Sequence, residues 1–177
     1  MKIRMGFVSN SSSSSFLVVD AKRGYDTLDC EHLIVDSSFG HTEFGWGPET
    51  VTGVGSRIIF AYLQTQYNNN EDVDPLLEQA MLVTRGYTNE WLFMLEQVIK
   101  ENSNVKTIEW NVSDDYSDED GKDWAYIDHQ SCSSEGSNTE IFDNKQILKD
   151  FIFGKDSLIQ LRNDNESYDD EEDGDEN

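Results

Sequence analysis

The segment from Asp128 to Cys132 holds the residues best suited to catalysis in this sequence. It brings a carboxylate, an imidazole, a hydroxyl and a thiol together at the end of a predicted strand, where active sites often form. A histidine oriented by a carboxylate can act as general base toward a serine or cysteine. On an extended chain Asp128 and His129 point to opposite faces, so a triad needs a partner from elsewhere, such as Asp164 after the last predicted strand. The alternative is a hydrogen-bonded histidine at a polar strand end.

The carboxylate-rich loop at 114–121 predicts weak cation binding and no dedicated metal site. With the loop's glycine at position six of an EF-hand, Asp118 and Asp120 fall correctly at positions three and five. Tyr116 then occupies position one, and Ile127 stands at position twelve, where a bidentate glutamate is required. The EF-hand register therefore fails at both ends. Four carboxylates of this loop are instead candidate contacts for a basic partner: Asp114, Asp115, Asp118 and Asp120.

Gly53 and Gly55 precede a predicted helix and partly match a phosphate-binding loop. Ile58 stands where the third glycine of a dinucleotide-binding motif belongs, and no Walker lysine follows. The N-terminus of a helix can still bind an anion, here through Gly55, Ser56 and Arg57. A structural turn is the alternative that this pattern favours.

A run of five serines, at 11–15, lies between two apolar segments close to the starting methionine. Ser11, Ser12 and Ser13 could hold an anion or contact a partner through their hydroxyl and N–H groups, in the manner of a backbone nest. A polar loop between two strands and a recognition tag for a processing enzyme are the alternatives. The opening of the chain, with Val8, Ser9 and Asn10 followed by the serines and Phe16, resembles a family of uncharacterised proteins of tailed bacteriophages and bacteria. Segments 126–131 and 151–165 resemble other recurring stretches of that family, which brings no established activity.

The charge balance is strongly negative, with 36 acidic and 13 basic residues and a net charge of -23. Residues 163–177 contain nine acidic residues and no basic one, which leaves a net charge of -14 on residues 1–162. Such a field repels phosphate backbones and attracts basic surfaces, so the composition argues against direct nucleic-acid binding. Solubility alone is the other explanation for this acidity.

Signals for compartment and cofactor are sparse. Two cysteines, Cys30 and Cys132, make neither a disulfide framework nor a zinc set. The N-terminus lacks the apolar core of a signal peptide, and no apolar run approaches the roughly 18 residues of a membrane span. We therefore expect a cytoplasmic protein with no cofactor and no membrane contact.

Apolar periodicity predicts an α+β fold. Clustered strands with helices on one side predict a mostly antiparallel sheet with about four helices packed on it. This single domain, residues 1–162, is followed by a disordered acidic tail, residues 163–177. The predicted strands are 15–20, 31–36, 41–48, 105–112, 124–128 and 157–161, and the predicted helices are 56–67, 74–86, 88–100 and 143–154.

Several side chains have defined positions in these predicted elements. Trp46 shares the apolar face of its strand with Phe44, or else serves as an interface aromatic for a partner. Glu96 is expected on the outward side of its helix. Asp143 is expected to cap the last helix, and Gly154 to end it.

Together these features predict a small phage-encoded accessory protein that acts by binding. Its carboxylates would engage a basic surface of a host protein in the bacterial cytoplasm, as a nucleic-acid mimic or an inhibitor of a host or defence factor. The alternative is a small hydrolase or nucleotide-processing enzyme that uses His129 with Asp128 or Asp164. The enzyme requires these groups to meet in one pocket, whereas the binding protein requires an exposed band of carboxylates.

Overall fold

The computed structural model describes residues 3–5, 13–45, 49–67, 89–113, 121–127 and 138–163. The predicted α+β class is confirmed, and the described residues form three α-helices, α1 (Val54–Tyr67), α2 (Glu90–Glu101) and α3 (Lys145–Phe153), with a 3-10 turn at Asn138–Phe142. The predicted helix 74–86 and the predicted tail lie outside the described residues, apart from Asn163. The strands are β1 (Ile3–Met5), β2 (Ser13–Val19), β3 (His32–Val35), β4 (Glu43–Phe44), β5 (Glu49–Val51), β6 (Thr107–Trp110), β7 (Val112–Ser113), β8 (Asp123–Trp124), β9 (Tyr126–Ile127) and β10 (Leu158–Asn163).

Four strands form an antiparallel sheet in the order β1-β2-β10-β5. Leu17 of β2 lies opposite Ile159 of β10, and both side chains are fully buried. Alternate residues of these strands, Val19 and Leu161 among them, reach the same apolar layer, as the period of two in a strand requires. The predicted strands at 15–20 and 157–161 are therefore confirmed as the centre of this sheet.

The remaining strands pair in parallel, β3 with β6, β7 with β8 and β4 with β9. The prediction of a mostly antiparallel sheet is thus only partly correct. Parallel pairing needs a crossover connection, and α1 and α2 lie between β3 and β6 in the chain. Buried residues alternate with more exposed ones along this part of the chain; they are Leu33, Val35, Phe44, Val112 and Ile127 within the strands and Ala125 between β8 and β9.

Helix α1 lies between the parallel strands and α3. All of its residues from 56 to 65 are buried, which explains why apolar side chains occur on every side of this predicted helix. The Phe60 ring packs edge-on against Phe44 of β4 at 5.1 Å and against Phe151 of α3 at 6.1 Å between ring centroids. Tyr62 stacks on Trp110 of β6 at 4.2 Å. These aromatic contacts join α1 to strands β4 and β6 on one side and to α3 on the other.

Helix α2 begins after Asn89, whose side chain accepts hydrogen bonds from the backbone N–H groups of the next turn. Its predicted apolar face is confirmed, with Leu95, Val98 and Ile99 fully buried. The outward position predicted for Glu96 is wrong, because this residue is only 6% exposed. Its carboxylate accepts a hydrogen bond from Trp110 Nε1 at 3.2 Å and pairs with Lys100 Nζ at 2.6 Å. Strand β6 therefore covers a helix position that the helical pattern alone places in solvent.

Helix α3 is capped one residue later than predicted. Asn144 is the N-cap, and its side-chain oxygen accepts from the N–H groups of Gln146 and Ile147 at 3.0 and 3.1 Å. Asp143, the predicted cap, is exposed. Gly154 ends the helix as predicted. A Cβ at that position would lie 2.3 Å from Asp150 O, so the close approach of the backbone requires glycine.

Candidate functional site

Most residues proposed from the sequence as functional lie outside the described residues. Ser13 is described, and it begins β2 opposite Asn163 of β10. Its backbone is extended strand, and its proposed contact with a ligand or partner stays a prediction. The candidates outside the described residues are Ser11, Ser12, Trp46, Asp114, Asp115, Asp118, Asp120, Asp128, His129 and Asp164.

The N-terminus of α1 is covered by the protein's own chain. A Cβ on Gly55 would lie 1.9 Å from Phe39 O, and a Cβ on Gly40 would lie 2.4 Å from Ser56 N. The Ser56 hydroxyl accepts a hydrogen bond from His41 N at 3.0 Å. The glycines therefore allow the 39–41 loop to pack on the helix, which is the structural turn that the sequence favoured over a phosphate site.

Arg57 is a buried structural residue, with only 1% of its surface exposed. Its Nη1 donates to Gly154 O at 2.7 Å and to Ser157 O, and its Nη2 lies 3.2 Å from Asp26 Oδ2. Burial lowers the pKa of Arg57, and the nearby Asp26 carboxylate opposes this effect. The guanidinium ties α1 to the turn between α3 and β10 and is not available to an anionic ligand.

A hydroxyl, an imidazole and a carboxylate meet on the surface of the β3–β6 pair. His32 Nδ1 lies 2.6 Å from Thr107 Oγ1, and His32 Nε2 lies 3.5 Å from Glu109 Oε2. The order of groups is that of a nucleophile, a base and an orienting carboxylate. However, the His32 and Glu109 side chains are 54% and 53% exposed, and hydrolytic sites depend on fixed dipoles in a place that excludes water. We interpret this cluster as cross-strand pairing.

The excess of carboxylates is located mainly outside the described residues. Those segments contain 20 of the 36 acidic residues but only two of the 13 basic ones, whereas the described residues carry a net charge of -5. Five Lys or Arg side chains within the described residues pair with carboxylates: Arg23 with Asp156, Arg57 with Asp26, Lys100 with Glu96, Lys106 with Glu31, and Lys145 with Glu101. The described part of the fold is therefore much closer to neutral than the chain as a whole.

The outward side of the parallel strands combines aromatic and acidic side chains. We call this surface the strand face and define it by six residues: His32, Ile34, Glu43, Glu109, Trp124 and Tyr126. Glu43 lies opposite Tyr126 in the β4–β9 register, and Ile34 lies opposite Glu109 in the β3–β6 register. The Trp124 and Tyr126 rings stack at 5.8 Å between centroids. Their neighbours Ala125 and Ile127 point inward and are buried.

A polar groove of about 560 Å³ lies between residues 101–104, at the end of α2, and residues 27–29, which precede β3. Asp29 and Glu101 are its acidic lining residues, but Asn104 donates to Asp29 and Lys145 pairs with Glu101. Within the ranges that the structure describes, no group of three or more His, Cys, Asp or Glu side chains is arranged to hold a metal ion. Cys30, the cysteine among these residues, is a half-buried free thiol. Both carboxylates of the groove therefore have partners within the protein.

Comparison with known proteins gives no assignment. No family model matches this chain, and neither a curated protein nor a solved structure shows significant similarity to it. Among the described helices, none has both the length and the apolar character needed to cross a membrane.

Proposed function

We propose that this protein is a small acidic accessory protein that binds a basic surface of another protein. The observation that carries the proposal is the distribution of charge, with 20 carboxylates and two basic residues in segments attached to an apolar, well-packed fold. An excess of carboxylates attracts Lys and Arg side chains over a distance of about 10 Å at moderate salt. The resemblance to phage proteins favours a host protein in the bacterial cytoplasm as the partner.

Mimicry of a nucleic acid is the specific form of binding that we favour. Carboxylates of Asp and Glu replace phosphates, and Lys and Arg in a nucleic-acid groove form charge-assisted hydrogen bonds with either group. The loop carboxylates Asp114, Asp115, Asp118 and Asp120 are the proposed contacts, with Ser11, Ser12 and Trp46 as further candidates.

A binding assay with a matched control tests this function. The probe is a purified basic DNA-binding protein, and its affinity for the full chain is measured over a series of salt concentrations. An unrelated domain of equal net charge is the control, because it supplies the same non-specific attraction. We expect the full chain to bind more tightly at every salt concentration. Equal affinities would show that the acidity serves solubility alone.

Charge variants locate the contribution within the chain. Neutralising Asp114, Asp115, Asp118 and Asp120 to Asn should weaken binding by about tenfold, since four rim charges contribute about 1.4 kcal/mol together. The matched control neutralises Asp169, Asp170, Asp173 and Asp175 in the predicted tail, with the same change of net charge. Equal losses in the two variants would contradict the loop as the contact region. Hydrolysis of phosphate esters that disappears in His129→Ala would instead support the enzyme.

A further inference from the structure

We propose that the strand face is the surface on which an arginine-rich segment of the partner docks. The inference rests on the proposed function, because it names the part of the fold that recognises the basic partner. In this arrangement the stacked rings of Trp124 and Tyr126 receive a guanidinium, and the carboxylates of the strand face pair with neighbouring cations.

The exposure of Trp124, which stacks on the half-buried Tyr126, is the first step. Three large apolar side chains of the described residues are strongly exposed, Tyr25, Ile34 and Trp124, and two of them lie on the strand face. Trp124 of β8 is 39% exposed, whereas the small Ala125 between β8 and β9 is fully buried. The larger side chain of this segment therefore lies on the solvent side. Exposed Trp and Tyr residues are the side chains most enriched at the centres of binding surfaces.

The carboxylates of the strand face are the second step. Glu43 and Glu109 are both exposed, and neither takes part in the five Lys or Arg pairs given above. Glu109 accepts a hydrogen bond from Asn111 Nδ2 at 3.0 Å and lies 3.5 Å from His32 Nε2, and its exposed carboxylate retains further acceptor positions for a cation. Glu43 lies directly opposite Tyr126, so a cation held over the rings would also lie within reach of a carboxylate. An aromatic ring beside a carboxylate is a suitable site for arginine, since the guanidinium stacks on the ring and donates to the oxygen.

The charge of the chain selects among the possible occupants. A nucleic acid would bring phosphates toward Glu43 and Glu109, and a second copy of this chain would bring another net charge of -23. Both are repelled at long range, whereas a basic segment is attracted. The occupant is therefore a partner segment rich in arginine.

Fluorescence anisotropy with a labelled peptide of alternating arginine and glycine tests the proposal on the full-length protein. We expect Trp124→Ala to raise the Kd about 3- to 30-fold, which is the range for loss of a cation–π contact. The control is Tyr25→Ala, because Tyr25 and Trp124 are both 39% exposed and only Trp124 lies on the strand face. Tyr25→Ala should change the Kd less than about twofold, since Tyr25 lies away from the strand face and its loss removes no contact with the peptide.

A second pair of variants tests the carboxylates. The double variant Glu43→Gln with Glu109→Gln should raise the Kd about 3- to 10-fold. Glu90→Gln with Asp143→Asn changes the net charge equally on other elements and should have a smaller effect. Equal effects of the two double variants, or an unchanged Kd in Trp124→Ala, would overturn the strand face as the docking site.

The outcomes separate this inference from the proposed function. If this protein binds the peptide more tightly than an equally acidic unrelated domain does, but no strand-face variant weakens the binding, the strand face is refuted and the function survives. If the basic DNA-binding protein of the salt series binds this protein and the control domain equally, the function itself fails. A dimer, or binding of a DNA oligonucleotide, that is lost in Trp124→Ala would overturn the choice of occupant.

Because Trp124→Ala could disturb the fold, the wild-type protein provides an independent measurement. The indole N–H signal of Trp124, assigned with Trp124→Phe, should shift during an NMR titration with the peptide. The indole signal of Trp110, which is stacked on Tyr62 and donates to Glu96, should stay unchanged. A shift of Trp110 without a shift of Trp124 would refute the proposal.

Discussion

Replacement of Arg57 by methionine should remove a large part of the stability of this protein. Methionine keeps the apolar stem but removes the guanidinium donor to Ser157 O and one of the two donors to Gly154 O, which keeps the hydrogen bond from Ser157 N at 3.0 Å. A buried polar group that loses its partner costs about 1–3 kcal/mol, and the partly exposed ion pair with Asp26 contributes about 1 kcal/mol more. We therefore expect a loss of about 2–4 kcal/mol, which is a substantial fraction of the 5–15 kcal/mol typical of a domain.

The Asp26→Asn variant separates the ion pair from the carbonyl contacts. The Asp26 side chain is 38% exposed, so water replaces part of its interaction with Arg57, and the asparagine oxygen can still accept a hydrogen bond. We therefore expect Asp26→Asn to cost only about 1 kcal/mol. Arg57→Lys should fall between the two variants, because one ammonium cannot reproduce the fork that reaches two carbonyls and a carboxylate.

Urea unfolding followed by tryptophan fluorescence provides the free energies, and circular dichroism checks that each variant folds. Equal m-values are required, since a changed slope would indicate a changed unfolded state. A loss below about 1 kcal/mol for Arg57→Met would refute the structural role of the guanidinium, because that is the cost of losing a single ordinary hydrogen bond. A larger loss for Asp26→Asn than for Arg57→Met would show that the ion pair, and not the carbonyl contacts, holds the turn.

Three further predictions concern local interactions. Hydrogen bonds from the side chain and backbone of Ser37 lower the pKa of Asp123. This contact therefore stabilises the fold above the ordinary carboxyl pKa, and its contribution is lost as the pH falls through the lower pKa of the folded state. A carbon-13 titration of Asp123 should show a depressed midpoint that rises in Ser37→Ala, and an unshifted midpoint would contradict the contact. Asn144→Ala should cost about 1 kcal/mol in urea unfolding while Asp143→Ala costs almost nothing, because Asn144 is the cap; the reverse order would restore the cap predicted from the sequence. Gly55→Ala should destabilise the protein by about 1–3 kcal/mol, since its Cβ would meet Phe39 O. A Cβ at Gly53 would meet no atom within 4 Å, so Gly53→Ala should cost only the strain of its positive φ, about 1 kcal/mol. A smaller decrease in melting temperature for Gly55→Ala than for Gly53→Ala would count against the close approach of Gly55 to Phe39.

The sequence predicts those features of the fold that depend on local periodicity. The burial of α1 on every side is indicated by the apolar residues that occur on all of its faces, and the buried stripe of α2 is indicated by helical spacing. Strand direction is not encoded in alternation, because parallel and antiparallel strands share the same period of two. The parallel pairing of β3 with β6 therefore does not follow from the strand patterns, even though helices are predicted between these two strands.

The errors at individual residues have non-local causes. The helical pattern predicts Glu96 in solvent because the pattern does not contain Trp110, which comes from β6 and covers this residue. The position of Arg57 at a helix N-terminus suggests an anion ligand, but it is the one basic residue in the apolar run of α1, and its partners come from residues 26, 154 and 157. The contact of His32 with Thr107 joins residues that are 75 positions apart. Spacing in the sequence carries no information about such pairs.

Under the proposed function, the carboxylates outside the described residues and the strand face should make separable contributions to binding. Carboxylates outside the described residues act over about a Debye length, so they should accelerate association with a basic partner, and added salt should reduce the association rate. The strand face acts only in contact, so loss of Trp124 should mainly accelerate dissociation. Surface plasmon resonance of the full chain with the arginine-rich peptide can measure both rates. We expect the loop variant at 114, 115, 118 and 120 to lower the association rate and its salt dependence, and Trp124→Ala to raise the dissociation rate by the same 3- to 30-fold factor expected for the Kd. If both variants changed only the association rate, recognition would be purely electrostatic and the aromatic pair would have no part in it.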